Sequence, residues 1–99
     1  MTEDYRNHKR HHVRIRAEIR MSGTGKFEVW VNDLSRTGFR METLSYVDNK
    51  RSIFLTLPGM APLEARVSWW EKDEYGCRFV QPLHDAVFDH IVRLHPTLG

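Results

Sequence analysis

The chain has 99 residues, room for one domain and not two, with a formal charge of +2 and 40% hydrophobic and 11% aromatic residues. That composition supplies apolar surface for a modest packed core and excludes a disordered chain. One cysteine, Cys77, excludes an internal disulfide and a multi-cysteine zinc motif, and no apolar run is long enough to span a bilayer as a helix.

The charge is local. Residues 6–20 carry Arg6, Lys9, Arg10, Arg14, Arg16 and Arg20 against one acid, Glu18, while the chain from Glu64 onward is mixed and slightly acidic. The positive field therefore sits at the N-terminal edge. No apolar block follows these charges, so they do not read as a signal peptide, and a soluble cytoplasmic domain is expected.

Residues 1–12 lack an apolar pattern and are expected to form a mobile basic arm. From Val13 the pattern alternates: Val13, Ile15, Ala17, Ile19 and Met21 share one face, and Arg14, Arg16, Glu18 and Arg20 the other. Period two marks a strand with one buried face. Ser22-Gly23-Thr24-Gly25 is a turn, and Phe27, Val29 and Val31 alternate with Glu28 and Trp30 in a second strand. Asn32 to Thr37 reads as a loop, and Gly38-Phe39-Arg40-Met41 resumes an extended pattern. After a turn at Asp48-Asn49-Lys50, Ile53, Leu55 and Leu57 define a strand that Pro58-Gly59 stops. Leu63, Ala65, Val67 and Trp69 continue the inward stripe on the next strand, which puts Trp70 outside, exposed or under the helix. Asp73-Glu74-Tyr75-Gly76 turns into a last short strand through Cys77 and Phe79, ended by Pro82.

Beyond Pro82 the period changes to that of a helix. Val87, Phe88, Ile91 and Leu94 form an apolar stripe over residues 84–95. Asp85 suits the helix start and Arg93 its end, and His95-Pro96 terminates it. Short strands with tight turns and one C-terminal helix read as an all-β domain, a small six-stranded antiparallel β-barrel over residues 13–80. Ile15, Ile19, Val29, Val31, Ile53, Leu55, Val67 and Phe79 are expected inside.

Two stretches carry chemistry. In Arg10-His11-His12-Val13-Arg14, two arginines stand where the arm becomes strand. A guanidinium binds phosphate through a bidentate fork, and matches the O6 and N7 acceptors of guanine. Arg6 and Arg10 share the four-residue spacing, so the register that grips a ligand, 6/10 or 10/14, stays open; the strand that follows directly favours Arg10 and Arg14. In Asp33-Leu34-Ser35-Arg36-Thr37-Gly38, a carboxylate accepts from the N1–H and N2 amino group of guanine, and a hydroxyl donates or accepts. Gly38 permits a positive φ or a close ligand approach. Each stretch taken alone also fits solvated surface or ordinary turn chemistry.

Arg10-x-x-x-Arg14 followed by Asp33-x-Ser35-x-x-Gly38 resembles the PilZ domain family, whose pattern is an arginine motif and then (Asp or Asn)-x-Ser-x-x-Gly. Both stretches match without a substitution. Gly76-Cys77-Arg78-Phe79 is similar to the family's last strand, and the resemblance runs over residues 6–95. It implies a six-stranded barrel with a C-terminal helix, and a receptor for cyclic di-GMP, the bacterial second messenger. By that resemblance Arg10 and Arg14 contact phosphates and guanines, Asp33 and Ser35 contact a guanine, and Gly38 lets the ligand lie close. Arg6, Lys9 and Arg36 are further candidates for the ligand.

No paired carboxylates, glycine-rich phosphate loop or nucleophile–base pair suggest an enzyme, and no cofactor is expected. His8, His11 and His12, with Asp4, fit no metal-ligand spacing, so no metal is expected. Cys77 has no catalytic partners placed by the sequence. The expected partners are cyclic di-GMP and a downstream protein, with no membrane and, on this reading, no nucleic acid. The alternatives are a barrel that binds single-stranded nucleic acid through the basic edge with Trp30 and Trp70, and a ligand-free adaptor of the same fold.

Overall fold

The computed structural model describes residues 10–23 and 25–96. Six strands precede one helix: β1 (His11–Met21), β2 (Lys26–Leu34), β3 (Gly38–Glu42), β4 (Ile53–Thr56), β5 (Leu63–Glu71), β6 (Glu74–Phe79) and α1 (Asp85–Leu94). The strands close a barrel in the order β1-β2-β3-β6-β5-β4, with each neighbouring pair antiparallel. Closure removes the open edges that a flat sheet of these strands would expose. Among the described residues, no helix is long and apolar enough to cross a membrane.

Alternation fixes most of the interior. Ile15, Ile19, Val29, Val31, Ile53, Leu55 and Phe79 are all buried, joined by Leu34, Met41 and Leu57. Where the alternation fails, a β-bulge is the cause. On β5, Val67 pairs with Cys77 but Trp69 pairs with Gly76, so Ser68 is an extra residue in the ladder. One extra residue reverses the faces of everything beyond it. Trp69 therefore leaves the expected inward stripe and lies on the outer surface, 42% exposed, while Val67 is only half-buried. Trp70 turns the other way, to the face of its cross-strand partner Tyr75, and is still 56% exposed.

The strand ends also differ from the sequence reading. β1 starts at His11 rather than Val13, because His11 and His12 pair with Leu34 and Asp33. Of the arm expected to be mobile over residues 1–12, His11 and His12 are instead paired in β1, and residues 1–9 lie outside the described residues. β2 runs through Asn32 and Asp33 to Leu34, which shortens the expected loop to Ser35–Thr37. β6 already begins at Glu74, with the reversal made by Lys72 at φ 56°.

The helix packs through Phe88 and Ile91, both buried, and Phe88 meets the His11 ring at 5.2 Å between centroids. Leu94, expected in the same stripe, is instead 56% exposed, so only Phe88 and Ile91 of the stripe are buried. His84 caps the helix start without a side-chain bond. Arg36 ties the β2–β3 turn to α1: its Nε donates to the Leu83 carbonyl at 3.0 Å and stands 3.0 Å from Asp85 Oδ1.

Candidate ligand-binding site

A second bulge builds the site. Val29 and Val31 face the interior, and strict alternation would put Asp33 there too. Val31 pairs with Met41 and Asp33 with Arg40, so Asn32 is the extra residue and Asp33 turns to the outer face. A register shift on β1 between His12 and Ile15 lies against the same point. A carboxylate that would have been an unpaired charge in the core instead stands beside a guanidinium, which such burial requires.

The outer face there is a cleft of about 700 Å³. Asp33, Ser35 and Gly38 line it from the β2–β3 turn, Arg40 from β3, Arg78 from β6, and Arg10 from the start of β1. Glycine and arginine alternate across the floor: Gly38 pairs with Arg78, and Arg40 with Gly76. A Cβ on Gly38 would collide with the Cys77 carbonyl, so this glycine is required by strand approach and not by a positive φ. Trp69 lies over Gly76 and forms one wall.

Three guanidiniums around one carboxylate give the cleft a net positive field suited to an anion. The Asp33 side chain is only 7% exposed, and its Oδ2 lies 2.7 Å from Arg40 Nη2. Its Oδ1 is buried without a hydrogen-bond partner. His12 Nδ1 stands 2.6 Å from that oxygen and engages it only when that nitrogen carries a proton. Arg40 Nε is likewise buried and unpartnered. Buried polar groups normally find partners, so Arg40 Nε is poised for one from outside, and Asp33 Oδ1 is poised for one whenever His12 does not hold it.

The sequence-derived candidates divide. Arg10, Asp33, Ser35 and Gly38 come together in the cleft. Arg14 does not line it. Its Nη1 donates to Asn32 Oδ1 at 2.8 Å and to Glu42 Oε1 at 3.4 Å, and its guanidinium lies 4.3 Å from the Trp30 ring centroid. Arg36 is committed to α1. Arg6 and Lys9 are outside the described residues. Ser35 lines the cleft but spends its hydroxyl locally: Oγ accepts from the amides of Thr37 and Gly38 at 3.3 and 3.2 Å, fixing the turn. Arg40, Trp69 and Arg78 also line the cleft and are not among the sequence-derived candidates. Arg40 follows Gly38 by two on one strand face, a signal the sequence contained; Trp69 depends on the bulge at Ser68, which no local pattern announces.

Burial pushes the Cys77 thiol up to about 12, so it stays protonated and inert near neutrality. Among the described residues no cluster of His, Cys, Asp and Glu could hold a metal ion.

A family model described as PilZ domain matches residues 4–95, nearly the whole chain. The chain belongs to the PilZ domain family. No curated protein matches it. The PilZ family is one of cyclic di-GMP-binding adaptor domains, generally not enzymes. Its two sequence motifs coincide here with the start of β1 and the β2–β3 turn that frame the cleft.

Proposed function

We propose that this PilZ domain is a cytoplasmic bacterial receptor for cyclic di-GMP, acting without a cofactor, and that the outer cleft is where the nucleotide sits. The observation that carries this reading is the buried Asp33 carboxylate, its Oδ1 met only by the exposed His12 ring, in a cleft otherwise lined by Arg10, Arg40 and Arg78. A guanine edge offers adjacent N–H donors to such an oxygen, and the phosphates suit the guanidiniums. Gly38 keeps the floor low, and Trp69, laid over Gly76, presents a ring face against which a base stacks. Ser35 contributes by shaping the turn, and Arg36 carries the state of that turn to α1. Arg6 and Lys9 belong to the arm, which closes on the ligand from its anchor at Arg10. Ordering of the arm is the signal, read by a partner protein.

The single-stranded nucleic acid alternative loses one of its platforms, because Arg14 and Arg16 lie over the Trp30 ring at 4.3 and 5.3 Å. Fluorescence anisotropy with labelled oligonucleotides of increasing length separates the two readings. A receptor for a dinucleotide gains no affinity with length and loses the label to unlabelled cyclic di-GMP. Affinity that climbs with length and resists that competitor would favour the strand binder.

A further inference from the structure

Asp33 has two neighbours of different character. Arg40 is held on β3, its side chain two-thirds buried, with Nη2 on Asp33 Oδ2 and Nη1 3.8 Å from Glu74 Oε2. A guanidinium keeps its charge at every working pH, so this contact is permanent. His12 is 72% exposed, and among the described residues no other hydrogen bond or ion pair holds its ring. It meets Oδ1 of a carboxylate that lines the cleft.

We propose that Arg40 is a positioning residue for the Asp33 carboxylate and that His12 is a displaceable placeholder on Oδ1, expelled by the N–H edge of an incoming guanine. The proposal rests on the cyclic di-GMP reading above. Arg40 sets the plane of the carboxylate by occupying one oxygen, and that fixes where the second oxygen points. His12 satisfies the second oxygen in the free protein and so limits the penalty of a buried, half-paired carboxylate. Being exposed, the ring swings out at little cost. The other charged side chains around the carboxylate are Arg10 and Arg78, which line the same cleft, and Glu74, which reaches Arg40. The two neighbours therefore act in opposite directions on affinity, which damage to the fold would not do.

The test is calorimetric titration of cyclic di-GMP into the wild-type chain and into His12→Ala, Arg40→Ala and Arg40→Lys. His12→Ala is expected to bind roughly two- to fivefold tighter, as loss of one weak contact that competes with the ligand allows. Arg40→Ala is expected to bind at least about tenfold more weakly and to lose preference for cyclic di-GMP over cyclic di-AMP. Arg40→Lys restores part of the affinity, since it returns the charge without the fork. In the free protein, the imidazole nitrogen shifts of His12 are expected to move on Asp33→Asn. Binding by His12→Ala that equals or falls below wild type overturns the placeholder, as do imidazole shifts indifferent to Asp33→Asn. Arg40→Ala with unchanged selectivity overturns the positioning role. A wild-type chain that does not bind the nucleotide removes the receptor reading itself, a result distinct from these.

Discussion

Trp69 stands across the β5–β6 ladder from Gly76, its indole lying over the glycine so closely that a Cβ there would strike the ring. The contact exists because Ser68 bulges and turns the tryptophan outward. Gly38 is crowded on the same floor, but by the Cys77 backbone rather than by a side chain. The two glycines therefore differ in what must yield. Gly38→Ala forces β3 and β6 apart and is expected to cost about 1–3 kcal/mol, as overpacking does. Gly76→Ala needs only a half-exposed ring to swing, so it is expected to cost less and to change tryptophan fluorescence. Chemical denaturation of both variants checks the order; equal losses would contradict it.

Attachment of the helix is a separate matter. Phe88 is 8% exposed and seated against His11, so Phe88→Ala is expected to cost about 3–5 kcal/mol of unfolding free energy, the usual toll for emptying a buried phenylalanine site. A loss well under about 1 kcal/mol, of the size seen for surface changes, would show that α1 is only loosely docked.

Most of the barrel was legible because period-two alternation survives wherever pairing is regular, as from Ile15 to Ile19 and from Ile53 to Leu55. It fails where a single extra residue resets the faces. Asn32 and Ser68 are such residues, and neither is a glycine or a proline that would mark a bulge. Asp33, Ser35, Gly38 and Arg10, singled out from motif spacing, line one cleft. The grounds for Gly38 were not legible, because the Cys77 carbonyl that crowds it is 39 positions away in the chain. Arg14 shows the opposite limit: its spacing is right, yet Trp30, Asn32 and Glu42 hold it on another part of the outer face.

Cys77 gives a pH signature. Its thiol is raised from 9.0 to about 12 by burial, which disfavours the thiolate. The unfolded chain therefore releases this proton first as pH rises. The contribution to stability is full below about 9 and is lost progressively up to about 12, with a slope of at most about 1.4 kcal/mol per pH unit. Cys77→Ser, compared with the parent by denaturation across that window, is expected to flatten the decline. Below pH 9, alkylation of the native thiol is expected to be slow and to speed up on unfolding. Rapid native alkylation at neutral pH would contradict the burial argument.

The arginines rank by placement. Arg10 faces the cleft, whereas Arg14 must abandon Trp30, Asn32 and Glu42 to reach it. Arg10→Ala is expected to lose charge-assisted bonds of about 1.5–3 kcal/mol, roughly ten- to a hundredfold in affinity, and Arg14→Ala less. A larger loss at Arg14 would mean that the ligand recruits it from the Trp30 cluster. Added salt weakens binding modestly in either case, through screening of the phosphate contacts.

Ordering of the arm is checked by amide exchange over residues 1–12 with and without nucleotide. Protection that rises on saturation is expected; an unchanged rate would leave the partner-directed signal without its moving part.

The central claim, that the Asp33 cleft receives cyclic di-GMP, is tested most directly by calorimetric titration of the intact chain beside its Asp33→Ala variant. The account predicts saturable heat for wild type, preference over linear GMP and cyclic di-AMP, and loss of that preference in the variant. No heat and no chemical-shift change at high micromolar nucleotide, or a variant that binds as selectively as its parent, would contradict it.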